Sequence, residues 1–300
     1  MSQSNNSAAI PFFVAVMGIA TFSAMDVLMK SLSLEMGVYN AMLWRTFAAT
    51  LIATALFFGT KQTRPDSVVL KLHVRRGLLT SVMAFLFFWG LMFVPLAEAI
   101  ALTFIAPLIA LYLAAALLGE HINGRAIIAS VVGLAGALVI ITGKLGTNFS
   151  EQAGYGIAAI VFSAVLYAYN LILQRQQALV ANPIEIALFQ NGIVFTLYAL
   201  FAPFWAVVPS TDQLPALSGA AILGIGSLML LSWAYGRAEA KILIPVEYTA
   251  FIWMSLFGWF IYKEAVTPAT LVGTAMIVTG CLVAAYQRTG PVDHVETTAI

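Results

Sequence analysis

Ten apolar runs follow one another along the chain, and no other feature constrains its fold as strongly. A helix that crosses the hydrocarbon core of a bilayer needs about 20 mainly apolar residues. Together the runs and their short links use nearly all of the 300 residues, which leaves no room for a soluble domain. The runs cover residues 11–31, 38–59, 71–93, 95–118, 123–143, 153–174, 183–208, 215–236, 242–262 and 267–286.

The composition supports the interpretation of these runs as membrane helices. Hydrophobic residues make up 61% of the chain and charged residues only 9%, whereas charged residues form about a quarter of an ordinary soluble domain. Backbone groups in hydrocarbon must find partners within their own segment, which favours helices. The runs also lack the alternation that is typical of membrane β-strands. The sequence therefore predicts an all-α polytopic membrane protein with ten transmembrane helices.

Charge, cysteine and histidine usage exclude several classes of function. The net charge of +1 leaves no basic face for nucleic acid, and the single Cys281 excludes an internal disulfide and a cysteine-based metal cluster. His73, His121 and His294 fall in or near predicted links or in the C-terminal tail. We therefore expect no cofactor, no metal and no enzymatic activity. An intramembrane enzyme is kept as the alternative from a different class.

The distribution of Lys and Arg predicts the orientation, because cytoplasmic links carry an excess of both. Of the 14 such residues, Arg45 lies within a span and three, Lys30, Lys144 and Lys263, lie on one side. We therefore expect an inner-membrane protein with both tails, residues 1–10 and 287–300, in the cytoplasm. The ten on the opposite side are Lys61, Arg64, Lys71, Arg75, Arg76, Arg125, Arg175, Arg237, Lys241 and Arg288.

The two halves of the chain resemble each other. When Glu120 is placed on Glu264, Gly136 falls on Gly280 without a gap, and Phe22-Ser23-Ala24 matches Phe162-Ser163-Ala164. The repeat is thus five helices long. Since five is odd, the second copy must cross the membrane in the opposite sense, which is a recurrent transporter architecture with its site between the halves. The predicted first repeat, linker and second repeat cover residues 11–143, 144–152 and 153–286.

These features resemble the drug/metabolite transporter superfamily, in its ten-helix EamA-like branch. The resemblance is carried by an arginine in the second helix (MLWRTFAATLI, Arg45), a long fourth helix that ends on LLGE, and a glycine-bearing fifth helix. It covers roughly residues 10–286. Within the branch, overall similarity is to bacterial exporters of aromatic amino acids of the YddG type. The resemblance implies a basket of helices around a central cavity that exports amino acids or related metabolites.

Polar side chains inside the spans are the first candidates for a site, because each is costly in hydrocarbon. Arg45 is either a buried brace, paired with Asp26 or with carbonyl groups, or a site for a substrate carboxylate. Asp26 has a second option, because Lys30 lies one helical turn away. Arg45 has no charged counterpart in the second half, where Gln190 occupies the equivalent region.

Glu98 and Glu247 fall near the starts of the fourth and ninth spans, at approximately equivalent places in the two halves. They either cap the helix dipole or capture a substrate ammonium. Deeper amides and hydroxyls either hydrogen-bond neighbouring helices or hold an amino acid backbone. Deep aromatic rings either contact lipid or stack on cargo. The predicted substrate-binding residues are Trp44, Arg45, Trp89, Glu98, Thr103, Tyr169, Asn170, Gln190 and Tyr248.

Small residues four apart on the fifth and tenth helices predict a packed seam away from the substrate. We expect a monomer in the lipid bilayer that exports neutral, including aromatic, amino acids by alternating access. The alternative is an exporter of drugs or other small metabolites by proton antiport. Asp26 and Glu247 are the acids nearest to mid-membrane, and a passive facilitator is equally compatible with the sequence. The predicted seam residues are Ala129, Gly133, Ala137, Gly280 and Ala284.

Overall fold

A computed structural model of the chain describes residues 6–106, 109, 113, 124–145, 151–238 and 243–285. Ten long or medium helices lie in these residues, and the predicted all-α membrane fold is confirmed. Glu120, which the sequence analysis aligned with Glu264, falls outside the described residues. The helices are α1 (Asn6–Met36), α2 (Val38–Gly59), α3 (Ser67–Leu91), α4 (Leu96–Thr103), α5 (Gly124–Leu145), α6 (Glu151–Val180), α7 (Pro183–Ala199), α8 (Leu214–Tyr235), α9 (Thr249–Tyr262) and α10 (Pro268–Ala285).

Large apolar side chains cover the outside of the helix assembly. Phe13, Val131 and Ile252 are 67%, 61% and 63% exposed. In water each such side chain would forfeit about 1.5–3 kcal/mol of transfer free energy, whereas lipid tails accept them. Among the described helices α1, α2, α3, α6 and α8 are each long and apolar enough, by length and composition, to cross a membrane. The outer surface is therefore the surface that faces lipid.

The most extensive contacts pair α5 with α10, α1 with α8, α3 with α6, and α2 with α7. Exchanging the first five helices with the second five turns the α1–α8 pair into the α6–α3 pair and leaves the other two pairs unchanged. Helices α4 and α9, which occupy equivalent places in the two halves, are also in contact. This is the set of contacts that two equivalent halves related by a two-fold axis produce.

Helices α5 and α10 approach closely because glycines meet between them. A Cβ atom on Gly136 would lie 2.5 Å from the carbonyl oxygen of Gly273, and a Cβ on Gly273 would lie 2.5 Å from that of Gly136. Glycine alone leaves room for this approach. The predicted seam residues Gly133, Ala137 and Gly280 are buried on the same two helices. The side chains of Ala129 and Ala284 lie outside the description.

Several helix ends differ from the predicted ones, and proline explains the largest difference. The seventh span was predicted to reach residue 208, but α7 ends at Ala199 and is followed by a single helical turn, Ala202–Trp205. Pro203 lacks the N–H that would bond to the carbonyl of Ala199, and its ring clashes with that carbonyl. A 3₁₀ turn at Ile244–Tyr248, which includes Pro245, precedes α9.

The first and third helices begin earlier than predicted. Helix α1 begins at Asn6, within the predicted tail, and α3 begins at Ser67 rather than at residue 71. Asp66 caps α3, since its carboxylate accepts hydrogen bonds from the backbone N–H groups of Val68 and Val69 at 2.9 and 2.8 Å. Lys71, Arg75 and Arg76, which the sequence analysis counted among the cytoplasmic cations, thus lie within the first three turns of this helix.

Candidate functional site

A cavity of about 90 Å³ lies between the two halves of the molecule. This volume is enough for several water molecules. Helices α1, α3 and α4 line it from the first half, and α6, α9 and the 3₁₀ turn line it from the second. Its polar groups belong to Ser23, Asp26, Thr103, Ser163, Tyr167 and Glu247, and its apolar wall is built by Ile19, Phe22, Met83, Ala84, Phe87, Phe88, Ile100, Phe104, Ala250 and Met254.

Helical periodicity explains how α1 contributes to this cavity. Ile19, Phe22, Ser23 and Asp26 are spaced three and four residues apart, so they lie on one face of the helix. Ser163 occupies the same place in α6, and its hydroxyl donates to the carbonyl oxygen of Met83 at 2.8 Å. Ser23 and Ser163 come from the repeated Phe-Ser-Ala motif. The repeat therefore places equivalent serines on opposite walls of one cavity.

Asp26 is a buried carboxyl group of the cavity. It is 1% exposed, and neither carboxyl oxygen has a hydrogen-bond partner among the described residues. The predicted pair with Arg45 is not in contact, because no nitrogen of Arg45 lies within 4.0 Å of an oxygen of Asp26. The alternative partner Lys30 is engaged elsewhere: its ammonium lies 2.5 Å from the carboxylate of Glu264.

Arg45 lies beside the same part of α1 in a space that a glycine provides. A Cβ atom on Gly224 of α8 would lie 3.1 Å from Nη1 of Arg45. Among the described residues the Nε of Arg45 has no hydrogen-bond partner, and its Nη2 lies 3.9 Å from the sulfur of Met42. Arg45 and Asp26 act on each other through space without touching. Gly224 thus leaves room for the guanidinium group.

Glu247 is the second carboxyl group of the cavity, and its surroundings differ from those of Asp26. The hydroxyl of Tyr167 donates to Oε2 at 2.9 Å, and the hydroxyl of Tyr235 donates to Oε1 at 3.1 Å. These donors come from α6 and α8, and Glu247 is 7% exposed. Hydrogen bonds to a carboxylate are worth about 1.5–3 kcal/mol each. The two tyrosines therefore stabilise Glu247 as an anion, whereas Asp26 has no such donors.

A polar cluster joins the halves at one end of the cavity, near the start of α3. Arg76 is 4% exposed. Its guanidinium donates to the amide oxygens of Asn170, Gln174 and Gln177 at 3.0, 3.0 and 2.5 Å. The sequence analysis used Arg76 only as a cation that marks the cytoplasmic side; the structure gives it a buried position between α3 and α6.

The Arg76 cluster continues to α7 through His73. The ring of His73 contacts Gln177 at 2.6 Å and the carboxylate of Glu185 at 2.9 Å. The ring also stacks on Phe189 at a centroid distance of 4.8 Å. His73 is completely buried. Three helices from both halves therefore meet in one polar network.

A second polar cluster joins the halves beyond the other end of the cavity. The ammonium of Lys30 donates to the carboxylate of Glu264 at 2.5 Å and to the carbonyl oxygen of Val94 at 3.2 Å. The other oxygen of Glu264 accepts from the backbone N–H of Leu96 at 2.8 Å. The hydroxyl of Tyr262 donates to the carbonyl oxygen of Val27 at 2.9 Å. These bonds connect α1 and the α3–α4 link to the end of α9.

The structure brings Thr103 to the cavity from among the nine predicted substrate-binding residues. Its hydroxyl donates to the carbonyl oxygen of Ile100 at 2.7 Å. Asn170 belongs to the Arg76 cluster, and Glu98 is buried in the first turn of α4. Gln190 is 6% exposed, and neither polar atom of its amide has a hydrogen-bond partner within the described ranges.

The predicted aromatic residues mostly support the helix packing. The indole N–H of Trp44 donates to the carbonyl oxygen of Val207 at 2.7 Å. Trp89 packs edge-on against Phe93, and Tyr248 against Phe104, at 5.2 and 5.1 Å between centroids. The ring of Tyr169 lies 5.0 Å from the guanidinium of Arg75, which places it on the other side of α6 from Tyr167.

Sequence reasoning missed the tyrosine pair around Glu247 and the serine pair on α1 and α6. The repeated Phe-Ser-Ala motif was a signal for the serines, since both copies lie at equivalent depth. A second signal was available for the Arg76 cluster. Asn170, Gln174 and Gln177 recur at helical spacing and so form a polar stripe on α6. No comparable pattern singled out Tyr167 or Tyr235 among the aromatic residues.

Comparison with known proteins gives a consistent family assignment. Residues 9–142 and 154–286 each match the EamA-like transporter family. A pseudopaline exporter, CntI, from Pseudomonas aeruginosa is 24% identical over 282 residues, which cover 92% of this chain and 96% of that protein. An S-adenosylmethionine uptake transporter from Rickettsia prowazekii is 25% identical over 280 residues, 91% of each chain. A protein of known crystal structure shares the fold with a TM-score of 0.62 and 21% identity, over 94% of this chain and 97% of that one.

Proposed function

The chain belongs to the EamA-like transporter family, and from this premise we propose that it exports small metabolites that carry a protonated amine and an apolar body. Neutral amino acids, aromatic ones included, fit this description. The observation that carries the proposal is the pair of carboxyl groups, Asp26 and Glu247, in a cavity with an apolar, aromatic wall. Arg45, the cation that acts on Asp26, lies outside the cavity wall.

The chemistry of the cavity supports an ammonium-bearing cargo. Burial of a cation without a counter-charge costs several kcal/mol, and a carboxylate in a low-dielectric cavity offsets that cost. Phe87, Phe88 and Phe104 offer ring faces and edges to an apolar or aromatic body. The hydroxyls of Ser23 and Thr103 add short-range donors and acceptors. A zwitterionic amino acid with an apolar side chain matches this combination.

We propose that transport follows alternating access between two oppositely threaded five-helix halves, with both termini in the cytoplasm. The exchange symmetry of the helix pairs, α1–α8 with α6–α3, supports two equivalent halves. The cavity takes its lining from both halves, which is where such folds place substrate. The outward direction rests on the resemblance to exporters; the relatives above include one named for export and one named for uptake.

The experiment that tests this function uses purified protein in liposomes and three small molecules of similar size, each with one phenyl ring. Labelled phenylalanine has an ammonium and a carboxylate, phenethylamine lacks the carboxylate, and 3-phenylpropionate lacks the ammonium. We expect phenylalanine exchange across the membrane that phenethylamine inhibits and 3-phenylpropionate does not. Inhibition by 3-phenylpropionate but not by phenethylamine would contradict a cationic recognition group in the cargo.

A matched pair of variants locates the recognition at the cavity. Glu247→Gln removes the charge but keeps an acceptor for the tyrosines, and we expect KM for phenylalanine to rise by about 10-fold or more, as the loss of a charged hydrogen bond implies. Glu151→Gln is the control, because Glu151 also accepts from a tyrosine, Tyr155 at 2.9 Å, but is exposed. Equal KM values for the two variants would refute the assignment of Glu247.

A further inference from the structure

The two carboxyl groups of the cavity differ in a way that the proposed function does not use. Glu247 accepts hydrogen bonds from two tyrosine hydroxyls at 2.9 and 3.1 Å, whereas both oxygens of Asp26 lack a hydrogen-bond partner in the part of the chain that the structure describes. An ionised carboxylate that is buried without donors is far less stable than the neutral acid. The cavity therefore favours a proton on Asp26 more strongly than on Glu247, whose carboxylate has two donors.

From this asymmetry we propose that Asp26 is a proton-binding site whose proton is exchanged for the ammonium group of the substrate. The proposal rests on the function proposed above, and it makes the proton gradient across the membrane the energy source for export. When the substrate ammonium enters the cavity, it supplies the positive charge that a carboxylate at Asp26 needs. The O–H proton of Asp26 then leaves to the water on the side to which the cavity is open. When the substrate departs, the carboxyl group takes up a proton from the opposite side.

The groups that surround Asp26 permit this exchange. Helix α2 contributes Arg45, which acts on Asp26 through space but forms no ion pair within 4.0 Å. On its own helix, Lys30 is held by Glu264. Because neither cation touches Asp26, its carboxyl group is free to bind a proton or a substrate cation.

The other elements packed on α1 add mostly apolar or uncharged groups. The 3₁₀ turn contributes Glu247 across the cavity, with its two tyrosine donors from α6 and α8. Helix α9 ends with Tyr262, whose hydroxyl binds the carbonyl oxygen of Val27 and so is directed away from the cavity. Helices α3 and α9 present to the cavity the side chains of Met83, Ala84, Phe87, Phe88, Ala250 and Met254.

The first test needs no substrate. Dicyclohexylcarbodiimide adds to protonated carboxyl groups in apolar surroundings and leaves a stable N-acylurea, which mass spectrometry locates in the peptide. We expect labelling at Asp26 in the purified protein near neutral pH, and little at Glu247. Phenethylamine at saturating concentration should lower the labelling of Asp26. An unlabelled Asp26 between pH 6 and pH 8 would overturn the proposal.

The second test separates coupling from binding. In liposomes with a clamped membrane potential, one proton exchanged per substrate predicts about 10-fold accumulation of phenylalanine for each unit of pH gradient, interior acid. Asp26→Asn has no proton to exchange at this position, so we expect it to accumulate no phenylalanine at any pH gradient, whatever exchange it retains. Equal accumulation by the variant and the wild-type protein, or exchange by the wild-type protein that ignores the gradient, would refute the proton site.

The two tests fail in distinguishable ways. If the wild-type protein exchanges none of the probes, the proposed substrate class is wrong, and the carbodiimide result still decides whether Asp26 holds a proton. If exchange is present and only the gradient response is missing, the function stands and the proton site falls. Glu151→Gln serves again as the control, and its accumulation should equal that of the wild-type protein.

Discussion

Replacement of Arg76 by methionine is the sharpest test of how the buried polar cluster stabilises the fold. Methionine keeps the apolar part of the side chain but removes the guanidinium group, which donates to Asn170, Gln174 and Gln177. Each orphaned acceptor in a buried site costs about 1–3 kcal/mol. The oxygens of Gln174 and Gln177 are orphaned, whereas that of Asn170 also accepts from the hydroxyl of Thr80 at 3.4 Å. Two acceptors give about 2–6 kcal/mol, and the relief from burying a cation offsets part of this loss. We expect a net destabilisation of about 2–4 kcal/mol.

The adjacent Arg75 provides a matched control. It is exposed and contacts the ring of Tyr169 at 5.0 Å, an interaction worth about 0.5–1 kcal/mol at an exposed site. Arg75→Met removes the same charge from the same helix, so it controls for effects of net charge and insertion. Arg76→Lys should fall between the two, because a lysine keeps the charge but lacks the fork of donors that reaches three amides.

The assay is reversible unfolding of the purified protein in mixed micelles, followed by steric trapping or by denaturant titration. The free energy of unfolding of Arg76→Met should fall clearly below that of Arg75→Met. Values for the two variants within about 1 kcal/mol of each other would refute the argument, since the expected difference exceeds that margin. Expression levels of the two variants in the membrane should follow the same order.

Two further outcomes follow from the close contacts of the helices. Gly136→Leu should destabilise the protein by about 1–3 kcal/mol or more, because even a Cβ at this position would lie 2.5 Å from the carbonyl oxygen of Gly273. If the variant unfolded at the wild-type midpoint, the direct contact between α5 and α10 would be contradicted. Glu264→Gln weakens the ion pair with Lys30, so it should make the cavity more accessible from that end. The measurement is the rate at which a thiol reagent, added from one face of the membrane, modifies Ser23→Cys in a protein whose Cys281 is replaced by alanine. Equal rates with and without Glu264→Gln would contradict the idea that the Lys30–Glu264 pair closes this end of the cavity.

The sequence predicted the helices better than their ends. Runs such as 38–59 have the length and apolarity that a membrane requires, and α2 occupies the predicted range. The end of α7 was wrong because its apolar run continues to Val208, while Pro203 interrupts the backbone hydrogen bonds. Hydropathy indicates which side chains are compatible with lipid, but it does not show that the backbone N–H donor is missing at Pro203.

The cavity was less predictable than the fold, because it depends on which helix faces meet. Arg45 drew attention as a charge within a span, but its distance from Asp26 is set by the packing of α2 and α8 around Gly224. Glu247 is held by Tyr167 from α6 and Tyr235 from α8. These helices are remote in sequence, so no local pattern could pair the three side chains.

The two polar clusters lie toward opposite ends of the cavity, which is the arrangement that the alternating access proposed above needs. At 1.5 Å per residue, Arg76 lies about 10 Å before Met83, the first residue of α3 that lines the cavity. Val94, which accepts from Lys30, lies beyond Phe88, the last lining residue on this helix. Each cluster joins the first half to the second, so in the proposed mechanism each one breaks when the cavity opens at its own end. The clusters differ in chemistry: one is an arginine held by neutral amides, and the other is a lysine–glutamate ion pair. A substitution in one cluster can therefore shift the proposed equilibrium between the two open states without weakening the other cluster.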